Sequence, residues 1–217
     1  MTDGAVTTAD PLRQRIVERL AGTTPGGDPS VAWGTGLTPE QTAHIRKHLP
    51  TAYARAAVLI PLVERADGLT VLLTQRATHL KNHAGQVSFP GGRIEPTDEG
   101  PLAAALRETR EEIGLDARCV SLAGFLHDHV VISGFVVTPV VGFVTPMFEL
   151  KLDRTEVDEA FEVPLEFVLD ARNHRARERT FAGLTFQTYD IPYGNRNIWG
   201  ATAGMLLTLR HMLRDGT

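Results

Sequence analysis

At 217 residues, with 42% apolar and 22% charged side chains, the chain is long enough to bury a core of its own. A formal net charge of −4 excludes the broad basic footprint of a general nucleic-acid binder, and a lone cysteine, Cys119, excludes an intrachain disulfide. The sequence has no secretory leader and no run of about 18 apolar residues, so the expected location is the cytoplasm, with neither membrane nor nucleic acid as partner.

Asp10-Pro11 caps a helix expected to reach about Leu20, with Leu12, Ile16, Val17 and Leu20 inward. Residues 21–36 are rich in Gly, Pro and Thr and read as a linker. Thr38-Pro39-Glu40-Gln41 is a capping box that opens a second helix to about His48. Residues 1–50 therefore read as an extension with two short helices, a candidate for packing on the core or for homodimer contacts. Residues 51–217 read as one domain.

The apolar pattern predicts strands over 57–63 and 69–74, joined near Asp67-Gly68. A short strand over 86–89 leads to Gly91-Gly92 and a polar loop. Pro101 opens a helix with Leu102, Ala105, Leu106, Thr109 and Ile113 inward, and Gly114 is placed to end it in a left-handed conformation. Further strands are expected over 118–126 and 135–144, with Cys119 as a small buried hydrophobe. A short helix follows over 164–169, then a hairpin of 179–181 and 184–189, then a helix over 198–213. Phe186 and Trp199 read as core residues. This order suggests an α/β sandwich, although periodicity alone leaves several α+β folds open.

The chemistry concentrates on the central helix. Glu108, Glu111 and Glu112 stand at i, i+3 and i+4 and crowd one patch. Like charges at that spacing destabilise a helix by roughly 0.2–0.5 kcal/mol per pair. Arg107 can reach Glu111 and offset part of this. A hard divalent cation would offset more, because carboxylates supply the oxygen ligands it prefers. Paired glycines just upstream let backbone approach a phosphate or metal closely. No Walker A motif, Rossmann glycine pattern or zinc-spaced His/Cys cluster is present.

Gly92, Arg107-Glu108, Glu111-Glu112, Gly114 and Leu115 resemble the Nudix box of the Nudix hydrolases, G-x5-E-x7-R-E-U-x-E-E-x-G-U, where U is bulky and apolar. Thr109 departs from the pattern at a U position. The spacer from Gly92 to Arg107 is one residue longer, so the early acidic position falls on Asp98 or on Glu99. Upstream, Leu72-Leu73-Thr74-Gln75-Arg76-Ala77, Lys81, Gly85 and Phe89-Pro90-Gly91-Gly92 resemble a signature of coenzyme A pyrophosphatases, with Lys81 replacing an arginine. Glu162-Val163-Pro164-Leu165 and Ile198-Trp199-Gly200-Ala201-Thr202-Ala203 are similar to segments of the same group, so the resemblance covers about residues 55–210.

The resemblance implies a Nudix-type α/β/α sandwich with a mixed β-sheet. It also implies hydrolysis of the pyrophosphate bond of coenzyme A or acyl-CoA, dependent on Mg²⁺ or Mn²⁺, with 3′,5′-ADP and 4′-phosphopantetheine or its acyl form as products. Glu108, Glu111, Glu112 and the Gly92 carbonyl would hold metal. Glu111, Arg107 and Glu108 would serve catalysis, and Arg76, Lys81 and Gly91 the substrate. The general base stays open among Glu111, Glu156 and Glu159; the last two lie in an acidic stretch, 153–162, that otherwise reads as a solvated loop. Another nucleoside diphosphate such as ADP-ribose, or nucleotide binding without turnover, are the alternative readings.

Overall fold

The computed structural model describes residues 10–27, 38–48, 52–131 and 134–214. Its centre is strand β1 (Ala54–Arg65), a nearly continuous apolar run. Such runs belong in the middle of a sheet covered on both faces. Ala57, Leu59 and Val63 of β1 enter one core layer, and Ala56, Ile60 and Leu62 enter another. The hairpin partner is β2 (Gly68–Arg76), antiparallel and in register at Arg65↔Gly68. Two short strands follow, β3 (Val87–Ser88) on β2 and β4 (Gly91–Arg93) on the start of β1.

Helix α1 (Pro11–Leu20) and helix α2 (Pro39–Lys47) precede β1, and helix α3 (Pro101–Ile113) follows β4. Then come β5 (Val120–Phe125), β6 (His129–Val131) and β7 (Phe135–Val144). Strand β7 runs parallel to β1 from Ala54↔Phe135 to Val63↔Val144 and carries β5 and β6 antiparallel. Strand β8 (Val157–Pro164) borders β2 and leads into α4 (Leu165–Leu169). The main sheet is thus mixed, in the order β3-β2-β1-β7-β5 with β4, β6 and β8 attached. A second sheet of β9 (Arg175–Phe181), β10 (Leu184–Tyr193) and β11 (Arg196–Ile198) precedes the closing helix α5 (Gly200–Arg214).

Both N-terminal helices form as their caps predict. Asp10 Oδ1 accepts from Leu12 N at 2.9 Å, and Thr38 and Gln41 exchange the reciprocal bonds of a capping box at 2.9 and 3.2 Å. Helix α1 packs on the core, with Ile16 and Leu20 fully buried beside residues of α5. Val17, expected inward, is 41% exposed, because a short helix resting on the sheet edge buries a narrow stripe only. Thr23 fastens its end: the hydroxyl donates to Leu20 O and accepts from Phe125 N.

Several element assignments change. The stretch 153–162 becomes strand β8 from Val157 onward, so only its first part is loop. Ile198 ends β11, and the last helix starts at Gly200. Cys119 lies just before β5, in a turn of 3₁₀ helix, half-buried. Among the described residues no helix is long and apolar enough to cross a membrane.

His129 is packed beneath α5, where a Cβ on Gly204 would meet its ring at 2.7 Å. Burial pushes its pKa down to about 4. The folded pKa lies below the unfolded one, so this residue's contribution to stability is complete above about pH 6.5 and is lost as pH falls toward 4. The loss reaches about 3 kcal/mol. Urea unfolding at pH 7, 5.5 and 4.5 should show that slope in the wild type and a shallower one in His129→Leu. Identical slopes would remove His129 as the cause.

Candidate active site

The helix carrying the acidic cluster is held by its ends. Pro101 occupies the first turn, and Gly114 adopts φ 74° and ψ 9°, donating to Arg110 O at 2.9 Å. Ala104, Ala105 and Ile113 bury against β1 and β7. That contact turns Arg107, Glu108, Glu111 and Glu112 toward β4.

Thr109, where the box has a bulky apolar residue, is buried at 1% exposure and donates its hydroxyl to Ala105 O at 2.6 Å. That carbonyl already serves the helix ladder, so the hydroxyl adds little and costs desolvation. Thr109→Val, equal in volume, should be neutral or stabilising by up to about 1 kcal/mol. A loss above that size in chemical denaturation would show that the hydroxyl is needed.

The two glycines are strand residues, where the sequence suggested only a turn. Gly91 has φ 147°, and a side chain there would run into the Ala57 carbonyl and Val58 Cα. Its N–H donates to Glu112 Oε2 at 3.2 Å. A Cβ on Gly92 would fall 2.5 Å from the Glu108 carboxyl carbon, so that carboxylate lies directly on the glycine backbone.

Arg107 organises the cluster. Its Nε and Nη2 grip Asp98 at 3.0 Å each, and Nη2 also donates to Arg93 O. Nη1 donates to Glu108 at 2.9 Å and to Glu111 at 3.1 Å. The two-pronged pair with Arg107 is the main reason the Asp98 carboxyl sits below the usual carboxylate range. Asp98, counted from the glycine, is therefore committed to Arg107, while Glu99, counted from the helix, is exposed.

Glu112 is buried, and burial pushes its pKa up to about 8 despite the Gly91 N–H and Arg76. Burial raises Glu108 as well, with Glu111 and Glu156 adding repulsion. Glu156 also raises Glu112, so it faces the same cluster. Glu159 does not join it: it pairs with Arg196 on β11. Among the described residues no three acidic, His or Cys side chains stand as a ready cation cage. Arg107 holds Glu108 and Glu111, and Gly91 holds Glu112. The donor set nevertheless suits a hard cation, being carboxylate oxygens beside glycine backbone with negative charge that burial leaves poorly compensated.

Beside the cluster opens a cavity of about 410 Å³, walled by β3, β6, β9, β10 and α5. Arg76 stands at its border, with Nη1 4.0 Å from Glu112 Oε1. Lys81 is exposed on the 77–86 loop, outside the cavity walls. His83 and Gln86 of that loop reach the cavity, whereas His79 bonds Thr155 O. Phe186, expected in the core, packs half-buried on the Val130 and Val136 cluster and also lines this cavity, whereas Trp199, expected in the core, is half-buried in the cavity wall. Arg179 and His129 also line it, and sequence reading missed both. The alternation Arg175, Arg177, Arg179, which puts three arginines on one strand face, was the available signal for Arg179.

Residues 53–183 match the NUDIX domain. The chain belongs to the Nudix family. It is 39% identical over 174 residues to the Nudix hydrolase NudL of Salmonella dublin, covering 80% of this chain and 87% of that one. It is 41% identical over 156 residues to NudL of Salmonella paratyphi B, covering 71% and 80%. A MutT/nudix family protein from Enterococcus faecalis shares the fold, with a TM-score of 0.50 at 18% identity over 81% of this chain and 68% of that one. The mixed sheet between helices is thus a Nudix fold, and the chain is a Nudix hydrolase acting on the pyrophosphate of a nucleoside diphosphate derivative. Nudix hydrolases generally use divalent metals such as Mg²⁺ or Mn²⁺.

Proposed function

We propose that this Nudix hydrolase cleaves the pyrophosphate bond of coenzyme A or acyl-CoA, in the cytoplasm, giving 3′,5′-ADP and 4′-phosphopantetheine or its acyl form. The observation that carries this reading is Arg76, from the coenzyme A-type signature, standing between Glu112 and the cavity. A cation there can hold a phosphoryl group against the acidic cluster while the rest of the substrate extends into the cavity. Lys81 and the Gly91 backbone are assigned to the substrate on the same resemblance.

Glu108, Glu111, Glu112 and the Gly92 carbonyl would hold Mg²⁺ or Mn²⁺, which when bound neutralises phosphoryl oxygens and acidifies water. Arg107 keeps Glu108 and Glu111 in place through Nη1. Glu111 is the base we favour, since its side chain, 59% exposed, is open to water on the side away from Arg107. A water oxygen bonds to phosphorus, its proton passes to Glu111, and the bridging P–O bond breaks. Glu156 is the second candidate; its pairing with Arg196 disfavours Glu159.

The test is incubation with CoA and, separately, ADP-ribose in Mg²⁺ or Mn²⁺, with products identified by mass. Appearance of 3′,5′-ADP and phosphopantetheine supports the reading. Cleavage of ADP-ribose alone replaces the substrate and keeps the chemistry. Tight binding of either without products would favour a binding module.

A further inference from the structure

The cavity beside Arg76 has two kinds of wall. Most of it is apolar, with Val58 and Val137 below and Phe186, Trp199 and Met205 around. The exceptions include two guanidinium groups, Arg76 and Arg179, on different sheets. Each has a carboxyl neighbour outside the cavity lining. Arg76 lies 4.0 Å from Glu112, and Arg179 donates to Asp190 at 3.2 Å. The Arg179 guanidinium also stacks 4.7 Å from the Trp199 ring centroid. Yet Nε of Arg76 and Nε of Arg179 are both buried without a hydrogen-bond partner. Among the described residues they are the side-chain polar atoms in that condition.

Buried donors without partners are rare in native proteins and point to something that binds there. Each arginine therefore brings at least one buried N–H donor that no protein group satisfies. Against the apolar walls, carbonyl oxygens spaced along an apolar chain would match both Nε donors. The cavity's volume is within the range of small-molecule sites.

We infer that this cavity holds the acyl-pantetheine arm of an acyl-CoA, whose carbonyls accept from Arg76 and Arg179 while the acyl chain lies among Phe186, Trp199 and Met205. The inference rests on the coenzyme A reading and deepens it. It makes Arg179 a specificity-determining residue and the acylated substrate the better one. Each methylene buried beyond the thioester adds up to about fourfold to kcat/KM.

Two measurements test this. The first compares kcat/KM for CoA, acetyl-CoA and octanoyl-CoA in the wild type, Arg179→Leu and Ala201→Phe, the last of which fills the cavity from α5. Octanoyl-CoA should exceed CoA by at least tenfold in the wild type, and both variants should erase most of that ratio. The second is calorimetric titration of wild type with octanoyl-pantetheine, which has no pyrophosphate and needs neither turnover nor a variant that folds. Binding supports the assignment. CoA cleavage with equal rates for octanoyl-CoA, and no octanoyl-pantetheine binding, overturns the cavity assignment and leaves the coenzyme A reading standing. Turnover of ADP-ribose with no cleavage of CoA or octanoyl-CoA overturns both.

Discussion

Replacing Glu111 by Gln is expected to lower kcat by about 10²- to 10⁴-fold, the usual worth of a positioned acid–base group. The fold should survive intact. The Glu111 side chain is 59% exposed, and its one hydrogen bond is to Arg107, which keeps four others without it. Its charge repels Glu108, so its removal relieves strain in the cluster. The melting temperature should therefore stay level or rise slightly as activity collapses. A variant within threefold of wild-type kcat would sink Glu111 as base. Glu156→Gln would then be the substitution to make, because Glu156 faces the same carboxylates.

Arg107→Met is expected to damage stability and activity together. Asp98, with its side chain only 6% exposed, would lose both prongs of the guanidinium and keep the Glu95 N–H. Without that partner Asp98 loses the contact that holds its carboxyl below the usual range, so the melting temperature should fall measurably. Glu108 and Glu111 would lose their common anchor, so kcat should fall by about 10²-fold even at temperatures where the variant is folded. A double-mutant cycle with Asp98→Asn separates the two effects. Strong coupling in stability, with kcat no better in the double variant, is the expected pattern. Additive stability losses would show that the Arg107–Asp98 pair does not hold the loop.

The sequence was most legible where local signals agreed. Pro101, Gly114 and an apolar stripe between them delimit α3, and β7 runs over the predicted residues 135–144. The Asp10 cap, the Thr38–Gln41 capping box and the Asp67-Gly68 turn were equally local. What escaped depended on distant partners. Gly91 and Gly92 have poor strand propensity, and they form a strand because β1 supplies the ladder. Glu159 and Glu162 looked like loop charges. They lie in a strand because β2 supplies the ladder, with Arg196 and Arg65 pairing their charges from far along the chain. Strand β6 is three residues long, too short for any period to show. Of the candidate site, the helix cluster was readable from spacing, and Arg76 from its place in the resembled signature. Arg179 and the cavity exist only once the second sheet folds against α5.

The pairing of β1 with β7 has a consequence for how the protein is made. Residues 54–63 find their parallel neighbours at 135–144, across roughly 80 residues of chain that include the acidic helix. During synthesis β1 emerges long before the strand that covers its flank. Until then its run of Leu, Ile and Val offers an open edge to any other nascent chain. Loop closure over that distance must be met before the central contacts form, so folding should be slow for a domain of this size. A product truncated before residue 135 would carry the whole acidic helix and still be an aggregation hazard.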